Sequence, residues 1–224
     1  MCRTSTTPWP EQPSAALLAG TLLLAACSGP VAGPEVTQQR DIGAFDAIDL
    51  RGAGDLDVHI GPAAPLRVTG TARALANLET RVRGNTLMIQ QKGGWFWLPS
   101  SSDVEIHVTL PQLSSVILNG AGDVDIGNLA GGELALTLQG AGNLEAEGRV
   151  DTLRARINGA GNMDLSDLAA QDATVSVNGA GNLRINATAS LAATVNGVGS
   201  IRYRGKPAKV DTTINGVGSI APEQ

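Results

Sequence analysis

The chain has 224 residues, a net charge of −5 and only 3% aromatic residues against 28 glycines. That length suits one or two domains. A mildly acidic charge spread along the chain lacks the basic stripe that nucleic-acid binding requires. The core must therefore be built from Val, Ile, Leu and Ala on a backbone punctuated by glycine.

Residues 14–26 form an apolar and small-residue run that ends at Cys27. The run is shorter than the roughly 20 residues needed to cross a bilayer, and it has the length of the apolar stretch of a secretory signal peptide. The tetrad Leu24, Ala25, Ala26, Cys27 resembles the bacterial lipobox. The resemblance implies that residues 1–26 are removed, that Cys27 is acylated and that the protein is anchored in a membrane by lipid. Ser28, where Asp would retain a lipoprotein at the inner membrane, implies the outer membrane. Two or three acyl chains anchor firmly where one does not. With Cys2 removed and Cys27 consumed, the mature chain has no disulfide and must rely on its own packing. Residues 27–40, rich in Pro, Gly and polar side chains, read as a flexible tether.

The segment 41–116 is β-rich but irregular. Phe45 to Ile60 and Leu66 to Thr71 alternate apolar and polar residues, the period of a half-buried strand. Thr71 to Glu79 suits a short helix. Thr80 to Arg83 and Thr86 to Gln91 flank Gly84-Asn85 as a hairpin, and Asp103 to Leu110 is a further strand ended by Pro111. This region is expected to cap the repeats that follow, because stacked coils need atypical ends to cover their strand edges.

From residue 117 to 220 one phrase recurs: Asn-Gly-Ala-Gly followed by Asp or Asn and an alternating apolar pair. It starts at Asn119, Gln139, Asn158, Asn178, Asn196 and Asn215, at separations of 20, 19, 20, 18 and 19 residues. An earlier copy runs from Arg51 to Asp55. A fixed period near 20 is the signature of a solenoid, one coil per repeat. Ala173, Val175 and Val177 alternate with Thr174 and Ser176 before one corner, and Leu183 and Ile185 alternate after it. Each coil thus reads as two short strands joined by a Gly-x-Gly corner with a looser return. The residue between the glycines (Ala121, Ala141, Ala160, Ala180, Val198, Val217) is expected to tuck into the core. Coils spaced about 4.8 Å apart would align the Asn side chains into hydrogen-bonded ladders. The expected fold is all-β, a single-chain parallel β-helix or β-solenoid spanning 41–224.

Three stretches agree together: Phe45 to Asp55, Val104 to Pro111 and the serial Asn-Gly-Ala-Gly corners. They resemble the auto-transporter adhesin head family, the GIN domain (DUF2807). The resemblance implies a β-solenoid in bacterial envelope proteins, often lipoproteins. The last two corners depart from the pattern, reading Asn-Gly-Val-Gly-Ser.

Specific chemistry is weakly signalled. Asn119 to Gly127 looks superficially like a calcium-binding nonapeptide, but the position of Asp123 becomes Asn143, Asn162, Asn182, Ser200 and Ser219. The carboxylates that Ca²⁺ prefers are lost. A strand follows every Gly-x-Gly where a dinucleotide fingerprint needs a helix. His59 and His107 sit in alternating strands with no ligand cluster around them. Asp123, Asp125, Glu145 and Glu147 are outward carboxylates on neighbouring coils, an arrangement that some polysaccharide-active β-helices use. Trp95, Phe96 and Trp97 lie in a Gly, Pro and Ser loop and suit either a cap over the coil end or stacking on sugar rings. No cofactor is called for. The expected role is non-enzymatic adhesion or ligand display, with a glycan or an envelope protein as partner. A self-associating structural or signalling-associated module is the alternative, and a polysaccharide-active enzyme ranks below both.

Overall fold

The computed structural model describes residues 34–92 and 104–223, all within the compact unit Gly33–Gln224. In chain order the elements are β1 (Glu35–Arg40), β2 (Ala47–Ala53), β3 (Asp55–Ile60), β4 (Leu66–Thr71), α1 (Ala72–Asn77), β5 (Leu78–Arg83), β6 (Thr86–Gln91), β7 (Val104–Leu110), β8 (Ser115–Ala130), β9 (Glu133–Ile157), β10 (Ala160–Arg204), β11 (Lys209–Ile214) and β12 (Val217–Pro222). The fold is all-β, a single curled and open sheet of 12 strands.

Within the repeats, the strands pair in parallel with an offset of one period. Leu118 lies beside Leu138, Ala141 beside Ala160 and Ile157 beside Val177. Alternate side chains point inward, so Leu136, Leu144, Met163, Val175, Leu183 and Val195 are almost wholly buried. The Asp55 copy of the corner obeys the same rule. β2 and β3 lie parallel on the two limbs of β8, with Gly52 opposite Gly120 and Leu56 opposite Val124.

Four expectations need correction. The sheet is mixed, not a wholly parallel β-helix: β1 with β4, β4 with β7 and β5 with β6 are antiparallel. The tight Gly84 turn (φ 58°) makes the β5–β6 pair, as its Gly84-Asn85 signal implied, whereas β1–β4 and β4–β7 join segments far apart in the chain. Second, residues 35–40, expected within the tether, form β1 and pair with β4 along its full length. Third, the coil returns are not loose. Leu168 to Ala170 pair with Gly148 to Val150, because Leu129, Val150, Leu168 and Ala170 give the return its own buried face. Fourth, the residue between the glycines of the later corners does not tuck into the core: Ala121 is half-buried, Ala141, Ala160 and Ala180 are exposed, and Val198 and Val217 are 62% and 75% exposed, whereas Ala53 of the early copy is buried. In the later corners the glycines themselves occupy the close approach between neighbouring backbones, and the residue between them turns outward.

At the N-terminal end, α1 begins where the Thr71 side chain accepts a hydrogen bond from the Ala74 amide (3.2 Å), a normal N-cap. It ends where Leu78 turns extended. Ala74 and Leu75 are buried against the core. The Arg40 guanidinium donates to the Leu75 and Leu78 carbonyls (3.1 and 2.8 Å), joining β1 to the C-terminal end of α1.

Glycine at the corner is required by contact between backbones. A Cβ on Gly159 would lie 2.2 Å from the Gly140 carbonyl oxygen, and one on Gly140 would lie 2.0 Å from that of Gly120. Gly159→Ala is expected to destabilise the fold by about 1–3 kcal/mol or more, as overpacking does, seen as a lower urea midpoint at unchanged slope. Ala160→Ser, one residue away on the exposed side, should be near neutral. Equal effects of the two substitutions would contradict this packing.

Candidate functional site

The outward face after the corner carries the densest charge. Asp57, Asp125, Glu145 and Asp164 follow one another in register on successive coils. They line an open depression of about 350 Å³ together with His59 and Glu147. The four carboxylates predicted to face outward on neighbouring coils, Asp123, Asp125, Glu145 and Glu147, are all exposed, and all but Asp123 line this depression. Further along the same face the sign changes. Arg184 donates to Asp164 (3.1 Å), and Arg184 and Arg202 border the next depression.

Coil spacing sets the electrostatics. Partial burial, then the charges of Asp57, Asp123 and Asp55, hold the Asp125 carboxyl above its ordinary pKa. Asp164 is shifted the other way. Burial pushes its pKa up, but hydrogen bonds from the Ser166 hydroxyl and amide and from Arg184, with the Arg184 charge, together bring it down. The two therefore act oppositely on stability. A raised carboxylate binds its proton more tightly in the folded chain, so its ionised form costs stability above its folded pKa and the cost fades as pH falls. A lowered carboxylate stabilises at neutral pH and loses that contribution in acid.

The histidines are held by neighbours on the same face. The His107 Nδ1 lies 3.1 Å from Asp57 Oδ2, and the Asn128 amide nitrogen lies 2.9 Å from His59 Nε2. Among the described residues, no group of three or more His, Cys, Asp or Glu is placed to hold a metal ion. The face is a column of charges on adjacent strands.

Two asparagine ladders flank the corner. Asn178 donates to Asn158, Asn196 to Asn178 and Asn215 to Asn196 (2.9, 2.7 and 2.9 Å). On the other side Asn143 donates to Asp123, Asn162 to Asn143 and Asn182 to Asn162 (2.9, 3.1 and 3.0 Å). Ser200 continues that ladder by donating to Asn182 (2.7 Å), so the serine of the late corners keeps the acceptor occupied.

Two polar groups stand outside the sequence expectations. Asp49, 7% exposed, accepts from Arg51 Nε and Nη2 (3.0 and 2.7 Å) and from Asn119 (3.0 Å). A signal for it exists: Asp49 and Arg51 lie two apart on a strand, and Asn119 opens the corner stacked on theirs. The Gln91 side chain donates to the Ala53 carbonyl (2.8 Å) and accepts from its amide (3.3 Å), closing the first corner. No sequence pattern announces that contact. Cys27, Trp95, Phe96 and Trp97 lie outside the described residues.

Asp125→Asn should raise the urea midpoint at pH 7, because it removes a charge that partial burial disfavours and that Asp57, Asp123 and Asp55 repel. The gain should shrink as pH falls through the carboxylate range and as salt rises. A gain that is equal at pH 7 and in acid would show that charge is not its cause.

The model of the family "putative auto-transporter adhesin, head GIN domain" matches residues 44–207. No curated protein matches the chain. A solved structure of a "putative adhesin" from Bacteroides fragilis NCTC 9343 is 25% identical with a TM-score of 0.71, over 85% of this chain and 97% of that one. A second, a "putative adhesin" from Parabacteroides distasonis ATCC 8503, is 18% identical with a TM-score of 0.53, over 85% and 98%, and bears on fold alone. The matched span covers most of the chain and takes in the early Gly-Ala-Gly corner, the β7 strand and all the later corners except that at Asn215, so the protein belongs to the auto-transporter adhesin head GIN-domain family.

Proposed function

We propose that this protein is an envelope-displayed binding module, held at the outer membrane by lipid on Cys27, that works by adhesion and not by catalysis. The observation that carries the reading is the match of residues 44–207 to an adhesin head family. The described surface agrees with it, for its charged groups are strung along strands on open depressions. We read the one-period parallel stacking as a β-solenoid built onto a mixed N-terminal end. That packing is what the Gly159→Ala comparison tests.

The lipid anchor is supported by the Leu24-Ala25-Ala26-Cys27 tetrad and by the family's association with the cell surface. The Cys27→Ala chain should leave the membrane fraction and lose label from radioactive palmitate. Continued pelleting with membranes would refute the anchor.

Binding to a glycan or an envelope protein through Trp95, Phe96 and Trp97 is the first form of the reading. These side chains are amphipathic stacking surfaces for sugar rings. The full chain, incubated with immobilised envelope and host polysaccharides, should be retained. Its Trp95→Ala/Trp97→Ala variant should not be, while keeping the same urea midpoint. Retention of both proteins, or of neither, would rule out these tryptophans as the glycan site.

A further inference from the structure

The two ends of the sheet are finished differently. At the N-terminal end, α1 lays Ala74 and Leu75 on the core, and the edge strands β1 and β5 carry Glu35, Gln38, Arg40, Glu79, Arg81 and Arg83. Charged edges and a covering helix are the usual protection against further strand pairing. Among the described residues, the C-terminal end has no covering helix and a more apolar edge. β11 and β12 each pair with β10 alone. Val210, Thr212 and Ile214 lie in register on Leu191, Ala193 and Val195, the inward column of the coil before. Those three are buried, whereas Val210 and Ile214 remain 43% and 46% exposed. The core column therefore runs out onto an unpaired edge.

We infer that the edge of β11 pairs with β11 of a second copy of this chain, antiparallel about a two-fold axis at Thr212. Strand parity restricts the choice. A two-fold axis perpendicular to the sheet must pass through a residue if inward side chains are to meet inward side chains. Centred on Thr212, Val210 of one copy faces Ile214 of the other, Thr212 faces Thr212, and Ile214 faces Val210. Apolar β-branched pairs and Thr pairs are the favourable cross-strand combinations. On the outward side Lys209 meets Asn215 and Asp211 meets Thr213, so no like charges stand directly opposite. Centring on Asp211 would set Val210 against Thr212 and carry Ile214 past the end of the strand. Centring on Thr213 would do the reverse, with Ile214 against Thr212 and Val210 left over. The N-terminal end offers a copy no comparable surface, which favours a closed pair over an open head-to-tail filament.

This pairing deepens the adhesion reading, on which its biological sense rests, by naming a second copy as partner. β1 lies at the opposite edge of the sheet from the repeats, so paired copies carry their first strands at the two far ends. That arrangement suits contact between facing surfaces.

The test is disulfide trapping of the full chain in cells under a mild oxidant, read on a non-reducing gel. Thr212→Cys should give a homodimer band, because residues facing each other across antiparallel strands have Cβ atoms about 4.5–5.5 Å apart, and a shift of about 1 Å brings them to disulfide distance. Thr174→Cys, exposed on a middle coil, should not, and the parent chain controls for Cys2 and Cys27. Adding Ile214→Lys to Thr212→Cys should abolish the band, and Thr212→Cys/Cys27→Ala should keep it even if anchoring and adhesion fail. Equal bands from Thr212→Cys and Thr174→Cys, no band from either, a band that survives Ile214→Lys, or a cross-link to a protein of different mass would each overturn the pairing.

Discussion

Contact between backbones at the Gly-x-Gly corners governs the rest of the molecule. The peptide of one coil lies so close to that of the next that a single methyl group would overlap a carbonyl oxygen, as at Gly140 on Gly120 and Gly159 on Gly140. Only glycine lets the chain turn there while the flanking strands keep ladder spacing. Once the corners stack, the strands before and after them are held in register. A one-residue slip would move every inward Leu, Ile and Val to the solvent side.

The same register produces both the polar support and the electrostatic strain of the surface. Asparagines flanking the later corners fall within hydrogen-bond distance of their equivalents one period away. Carboxylates at equivalent positions fall equally close, but repel. Asp125, partly buried and set among Asp57, Asp123 and Asp55, has a raised pKa, while Asp164 is relieved by Ser166 and by Arg184 one period on. Periodicity thus stabilises amides and penalises like charges, and the change from Asp to Asn at the position of Asp123 follows that physical preference.

The fold also separates two kinds of end. Helix α1 and charged edge strands finish one, whereas an apolar column reaches the edge of the other. Under the proposed adhesion role that asymmetry has a use, since a binding module needs an exposed surface and a protected remainder.

Much of this architecture was legible from residues alone. The period near 20, the inward alternation, the Gly84-Asn85 hairpin, the helix after Thr71 and the asparagine ladders are all local or periodic signals, and periodic signals survive translation into stacked strands. Of the Asp57 to Asp164 column, the outward-facing Asp125 and Glu145 were legible for the same reason, whereas Asp57 and Asp164 were added by the strand register. Other features were decided only by the tertiary structure. Which way the corner alanines face depends on how closely two backbones meet, and the pairing of β1 with β4 joins residues about thirty apart with no pattern in common. The Gln91 bridge to Ala53 and the burial of Asp49 likewise depend on the folded neighbourhood. Sequence determined the repeat and its inward face because glycine, alternation and period act within one coil. Tertiary structure alone decided the mixed N-terminal end and the open C-terminal edge, because those depend on what, if anything, lies beside a strand.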